Sequence, residues 1–142
     1  LNDIKDPVRK MDLLITANNF VCPSLFMAEE LKRNGSRAWV YQFNRVRDDD
    51  LAKKYGAFHG AELPYVFDTH DEWLPTNKTD KVLTREIQSY WLSFAKTGDP
   101  NNDGAVVWPE YESSNDSTLV LDDEIYQRGH ESSEICKIMD LF

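Results

Sequence analysis

Pro23-Ser24-Leu25-Phe26-Met27-Ala28-Glu29-Glu30-Leu31-Lys32-Arg33-Asn34-Gly35-Ser36-Arg37-Ala38-Trp39-Val40-Tyr41-Gln42-Phe43 changes its period part-way along. Leu25, Phe26, Ala28 and Leu31 recur at helical spacing. Pro23 suits a first helical position, because the N–H it lacks would have no intrahelical partner there. Asn34-Gly35 supplies a left-handed cap to end such a helix. Arg37 to Phe43 has the length and the Val, Tyr and Phe content of a buried strand. Helix, tight turn and strand make one αβ unit, so the expected fold class is α/β.

The same reading extends outward. Val8, Met11, Leu14 and Ile15 predict a helix from Val8 to Asn18, begun by Pro7 and stopped by Asn18-Asn19. Arg45 to Lys54 reads as a charged connection. Its triplet Asp48-Asp49-Asp50 reads as solvated loop, since no spaced ligand loop accompanies it for calcium. Tyr55 to Gly60 is a turn, Ala61 to Phe67 a short helix with Pro64 in its first turn, and Asp68 to Thr79 a polar loop. Lys81 to Lys96 carries the clearest helical period, through Val82, Leu83, Ile87, Tyr90, Trp91 and Phe94, and Thr97-Gly98-Asp99-Pro100-Asn101 ends it. Trp108-Pro109 is extended and Thr118 to Leu121 a short strand. Ser132 or Ser133 caps a last helix carrying Ile135, Ile138, Met139 and Leu141. The expected architecture is a few strands flanked by helices.

With 142 residues there is room for one domain, 1–142, and not two. A net charge of −9 repels phosphate backbones, which excludes a nonspecific nucleic-acid binder. The apolar share of 41% and the four Trp argue against a disordered acidic tail. No run of about 18 apolar residues is present, so no transmembrane segment is expected. No signal peptide is visible at the start. The first residue is Leu1 rather than Met, which reads as a processed chain or a fragment. Three Asn-x-Ser/Thr sequons, at Asn34, Asn77 and Asn115, exceed the one or so that chance gives; they lean toward an exported glycoprotein, secreted or periplasmic. Cys22 and Cys136 are either two buried thiols or a bridge. A bridge would close a loop of roughly 100 residues, a stabilisation of about 4–5 kcal/mol on chain-entropy grounds.

The chemistry, if any, sits at His59, although on its local features alone a structural histidine is the first reading. It lies between Gly56 and Gly60, after a strand and a loop and just before a helix, where α/β enzymes hold catalytic side chains. Glycines there leave room for close approach, and imidazole titrates near neutral pH. His70 and His130 lie in polar stretches and read as surface histidines. No His-Glu-x-x-His pattern is present for zinc, and His59–Glu62 spacing alone makes no metal site.

Gly56-Ala57-Phe58-His59-Gly60-Ala61-Glu62-Leu63-Pro64-Tyr65-Val66-Phe67 resembles the catalytic-histidine segment of type-B carboxylesterases, a family of α/β-hydrolase fold that includes the cholinesterases. Three further segments agree in order. Phe20-Val21-Cys22-Pro23, followed by Ala28, is similar to the family's Cys-Pro helix. Gln88-Ser89-Tyr90-Trp91-Leu92-Ser93-Phe94-Ala95-Lys96-Thr97-Gly98-Asp99-Pro100-Asn101 is similar to its long C-terminal helix and turn. Trp108-Pro109-Glu110-Tyr111 is similar to its Trp-Pro-x-Tyr segment. The likeness runs from about Asn19 to Cys136 and is to the C-terminal part of a family member.

The resemblance implies a carboxylic ester hydrolase, a serine esterase, in which His59 is the general base and acid of a Ser-Glu/Asp-His catalytic triad. In this fold the triad runs Ser, acid, His along the chain, so serine and acid are expected on an N-terminal segment that acts as this chain's partner. The sequence agrees: it has no Gly-x-Ser-x-Gly, and Phe58 stands between the one pair of glycines four apart. Glu62 reads as a hydrogen-bonding support of the turn. The family's disulfide between its Cys-Pro helix and C-terminal helix implies a structural Cys22–Cys136 bridge. The implied substrate is a small ester, with no cofactor and no metal. Cholinesterases carry an aromatic residue two places after the histidine; Ala61 stands there, which favours a general carboxylesterase. The alternative is a cholinesterase-like adhesion or binding protein that keeps the fold and lacks the nucleophile. A helix pair near the C-terminus could also form a homodimer.

Overall fold

The computed structural model describes residues 4–72, 74–129 and 132–138. His130, Met139 and Leu141, which the sequence reading used, lie outside the described residues. Along the chain run α1 (Pro7–Thr16), a π turn (Ala17–Val21), α2 (Cys22–Arg33), β1 (Val40–Phe43), α3 (Asp50–Tyr55), α4 (Leu63–Phe67), α5 (Lys78–Thr97), β2 (Thr118–Leu121), β3 (Tyr126–Arg128) and α6 (Ser132–Ile138). The chain divides into two compact units. One comprises the described residues of Leu1–Val40, Glu110–Thr118 and Arg128–Phe142; the other comprises those of Tyr41–Pro109 and Leu119–Gln127.

In the first unit Asp6 caps α1, accepting from the Val8 N–H at 2.9 Å, and Pro7 opens the helix. The helix does not stop at Asn18-Asn19. It widens into the π turn, where the Cys22 N–H reaches back five residues to the Ala17 carbonyl, and continues as α2. The physical reason is Pro23: inside a regular α-helix its ring would press on the carbonyl four residues earlier, and one wider turn relieves that contact. At the far end Asn34-Gly35 does end α2. Gly35 has φ +76°, its N–H donates to Lys32 O at 2.9 Å, and Ser36 N–H donates to Leu31 O at 2.9 Å, a complete Schellman cap. The core of this unit is Ala17, Cys22, Leu25, Ala28, Tyr111 and Cys136, with Val21, Ala38, Val40 and Ile135 packed against it. Cys22 and Cys136 are joined in a disulfide with Cα atoms 5.6 Å apart across 114 residues of sequence. Tyr111 is held by its backbone: its N–H donates to Ala38 O at 2.8 Å and Lys32 Nζ donates to its carbonyl at 3.3 Å. Burial, with Asp116 nearby, pushes its hydroxyl up to about 12. The 27-residue helical run Pro7–Arg33 is long and apolar enough to meet the composition of a membrane span, which the sequence reading did not foresee. A stripe of it, Ala17, Cys22, Leu25 and Ala28, is instead spent on the protein core.

Most of the three-stranded sheet, in the order β1-β2-β3, belongs to the second unit. All four residues of the central strand β2 are buried. β1 is shorter than the Arg37–Phe43 expectation and half-buried rather than buried, because it has a neighbour on one side among the described residues. α5 begins at Lys78, three residues earlier than its apolar period suggests. Asn77 and Asp80 form a capping box there, and Gly98 closes the helix at φ +76°. Leu83, Ile87 and Tyr90 form its buried face. The Tyr90 hydroxyl donates to Val106 O at 2.6 Å. Trp108 meets Tyr41, Tyr90 and Trp91 at ring separations of 5.5–6.0 Å. Asn101 clasps Trp108 by its backbone: Oδ1 accepts from the Trp108 N–H at 2.7 Å and Nδ2 donates to the Trp108 carbonyl at 3.0 Å.

Candidate active site

His59 stands on an exposed turn between α3 and α4. All but the last residue of α3 falls in the charged connection of the sequence reading: Asp49 caps the helix, accepting from Ala52 N–H at 2.9 Å, with Asp50 in its first turn and Lys53 and Lys54 in its last, each suited to the helix dipole. Gly56 then turns the chain out of α3 at φ +69°. Phe58 N–H donates to Gly56 O at 3.1 Å, Ala61 N–H to Phe58 O at 3.0 Å, and Leu63 N–H to Gly60 O at 3.1 Å, so His59 rides on a closed run of tight turns. The glycines are there for backbone angle. At Gly56 a Cβ would meet nothing within 4 Å, and at Gly60, with φ +87°, it would meet Leu63 Cδ1 at 3.8 Å. Glu62 supports the turn with its carbonyl, which accepts from Tyr65 and Val66 N–H at 2.9 and 3.1 Å; its carboxylate makes no cap bond to α4.

What anchors α4 lies beneath it, and the sequence reading did not find it. Tyr65, Asp80 and Arg45 are 1%, 1% and 4% exposed. Asp80 Oδ1 accepts from Tyr65 Oη at 2.7 Å and from Arg45 Nε at 2.9 Å, while Oδ2 accepts from the Asn77 N–H at 2.9 Å. Arg45 also donates to Val46 O at 2.7 Å and pairs with Asp123 Oδ1 at 2.9 Å. A buried charge pair is tolerable when its remaining polar atoms are satisfied; here all are bonded but Arg45 Nη2, which makes no hydrogen bond and lies 3.5 Å from Asp48 Oδ2. Burial alone would push the Asp80 carboxyl up; Arg45, the Asn77 amide and the Tyr65 hydroxyl outweigh it and hold the carboxyl below its ordinary value. Burial, and then Asp80, push the Tyr65 hydroxyl well above its ordinary value. Burial opposes the charge of Arg45, and Asp80 and Asp123 more than restore it.

A second layer adjoins the first. Arg47 lies over the Tyr65 ring at 4.8 Å and donates to Pro75 O and Thr76 Oγ1, each at 3.0 Å. His70 is no surface histidine: it is half-buried, with Nδ1 2.9 Å from Arg47 Nη2 and Nε2 2.7 Å from Thr84 Oγ1. A polar sequence neighbourhood concealed this, because its partners are 23 and 14 residues away. Asn77 supplies Oδ1 to the Asp80 N–H at 3.0 Å and Nδ2 to Asp48, so the sequon side chain at the start of α5 is engaged at both atoms. Asn34 is exposed and donates Nδ2 to Glu30 O at 2.7 Å. Asn115 is exposed, its Oδ1 accepting from Ser117. Among the described residues no group of three His, Cys, Asp or Glu side chains is disposed to hold a metal ion.

A family model described as the carboxylesterase family matches residues 2–138. The chain belongs to the carboxylesterase family. It is 40% identical over 101 residues to the para-nitrobenzyl esterase of Bacillus subtilis strain 168, an alignment that covers 68% of this chain and 20% of that protein. It is 30% identical to the acetylcholinesterase of Gallus gallus across 99% of this chain and 19% of the relative. Among solved structures, a PNB esterase superposes with a TM-score of 0.66 at 33% identity, covering 74% of this chain and 22% of that one. A thermophilic PNB esterase gives 0.65 at 36% identity, with 75% and 22% covered. The fold of this carboxylesterase chain is therefore part of an α/β-hydrolase fold, and the chain spans 19–20% of the length of these two relatives.

Proposed function

We propose that this chain is the C-terminal portion of a single α/β-hydrolase domain and supplies the general-base histidine, His59, of a serine carboxylesterase. The nucleophilic serine, the triad acid and the oxyanion donors come from an N-terminal segment outside this chain. The observation that carries the reading is a histidine on an exposed, glycine-turned loop whose following helix is tied to a buried ionic cluster. His59 takes the proton of the serine hydroxyl as that oxygen attacks the ester carbonyl, then passes it to the leaving alcohol; a water deprotonated the same way releases the acid. Phe58 and Phe67, 58% and 66% exposed on either side of the histidine, support the reading, since an apolar rim there suits a small ester and the rest of the fold. The 27-residue run Pro7–Arg33 is on this reading a core helix of the domain. The disulfide and the sequons fit an oxidising compartment, secreted or periplasmic.

The test uses the complete polypeptide containing this chain. A fluorescent fluorophosphonate should label it, p-nitrophenyl acetate should be turned over, and His59→Ala should lower kcat/KM by about 10⁴- to 10⁶-fold. Absence of both label and turnover would overturn the esterase reading in favour of a non-catalytic binding protein.

A further inference from the structure

His70 sits three residues beyond the end of α4, and its partners dictate its protonation state. Thr84 Oγ1 donates its one proton to Asp80 O at 2.8 Å, so toward His70 it can only accept, and Nε2 must carry hydrogen. Arg47 has donors and no acceptor, so Nδ1, 2.9 Å from Nη2, must be bare. The imidazole is neutral and locked in the Nε2–H tautomer. Its ring also meets the edge of Tyr65 at 5.0 Å and 89°. Arg47 and His70 thus both bear on Tyr65, the side chain that ties α4 to Asp80.

We propose that His70 is a positioning residue for His59: as a neutral imidazole it holds Arg47 against Tyr65 and so steadies the helix that continues from the histidine turn, and its protonation releases that hold. The proposal rests on the reading of His59 as the catalytic base. Protonation would set two donors and two positive charges against each other across the Arg47–His70 contact. The other groups acting on His70 are Asp80 and Lys81 on α5 and Asp68 on its own segment; the Tyr65 hydroxyl is already given to Asp80. The two carboxylates favour the charged imidazole. Burial first, then Arg47 and Lys81, oppose it more strongly, so its pKa falls below the ordinary 6.5. Neutral His70 therefore persists into mild acid and is lost only as pH falls through that lowered value.

The experiment compares wild type, His70→Gln and His70→Ala in the complete polypeptide. Glutamine can accept from Arg47 and donate to Thr84 without titrating. Below pH 6.5 the wild-type kcat/KM for p-nitrophenyl acetate should steepen from one proton to two. His70→Gln should keep kcat within about threefold at pH 8 and follow a one-proton limb; His70→Ala should lose about tenfold in kcat with little change in KM. A two-proton limb retained in His70→Gln, or a one-proton wild-type limb, overturns the proposal. Imidazole NMR gives a readout independent of turnover. His70 should show a bare Nδ1 at neutral pH, and the Tyr65 ring signals should move with its titration in wild type and not in His70→Gln. If those signals do not move together, the coupling is refuted even in an active enzyme. If they do and no ester is hydrolysed, the His59 reading fails instead.

Discussion

Asp80→Ala is the substitution that most directly probes what holds the histidine turn. It removes the carboxylate that receives Arg45 Nε, Tyr65 Oη and the Asn77 N–H at 2.9, 2.7 and 2.9 Å. Breaking a buried ion pair from one side costs about 3–5 kcal/mol, because the remaining charge stays buried. Arg45 keeps Asp123 and the Val46 carbonyl, which argues for the lower end of that range. Against this, the Tyr65 hydroxyl is orphaned in the interior, at about 1–3 kcal/mol, and the capping box loses one of its two bonds. These terms overlap, so the expected loss is about 4 kcal/mol in urea denaturation of the complete polypeptide. Adding Tyr65→Phe removes the orphaned hydroxyl, and the double-mutant cycle should return a coupling of about 1–2 kcal/mol. A loss below about 1 kcal/mol for Asp80→Ala would refute the cluster as an anchor of α4. Acid supplies a second reading. The Asp80 pKa is depressed in the folded state, so its stabilisation is complete above the ordinary 3.8 and disappears as pH falls from there through the folded value.

Reducing or deleting the Cys22–Cys136 bridge, whose ends are 114 residues apart in sequence, should cost about 3–5 kcal/mol and lower the urea midpoint without changing the pH profile of turnover. Asn77→Ala removes the side-chain acceptor for the Asp80 N–H and should cost about 1 kcal/mol, by the same denaturation assay, in a host that does not glycosylate. The isolated 142-residue chain exposes Val8, Met11, Ile15, Phe26, Met27 and Leu31 along one helical run. It should bind anilinonaphthalene sulfonate strongly and melt without a cooperative transition, and a sharp calorimetric peak would contradict that.

The parts of the fold legible in the sequence were those carried by apolar periodicity or by glycine. The buried face of α5 follows Leu83, Ile87 and Tyr90, and the Gly35 and Gly98 caps stand where expected. Its first turn was hidden because Lys78, Thr79 and Asp80 are polar; the Asn77-x-x-Asp80 capping signature was the available signal. α3 was hidden likewise, its charged residues reading as loop although Asp49 is a good cap. β3 is three residues long and mostly exposed, so backbone pairing alone defines it. At the site, the glycine-flanked histidine was readable, but its foundation was not. Charged residues are expected in water; nothing local to Arg45 or Asp80 announces that they pair in the interior, or to His70 that it meets Arg47 and Thr84.

The π turn at Ala17–Val21 has a consequence for the helix on either side of it. One additional residue in a turn shifts everything beyond it by about 100° in phase, so the two halves of the run do not present the same face. α2 directs Cys22, Leu25 and Ala28 into its own core, while the stripe of Val8, Met11 and Ile15 on α1 points away in rotation and buries nothing. A single helix thereby works as a two-faced splint, and deletion of one residue between Ala17 and Val21 would swing one face round relative to the other while leaving every side chain on both faces intact.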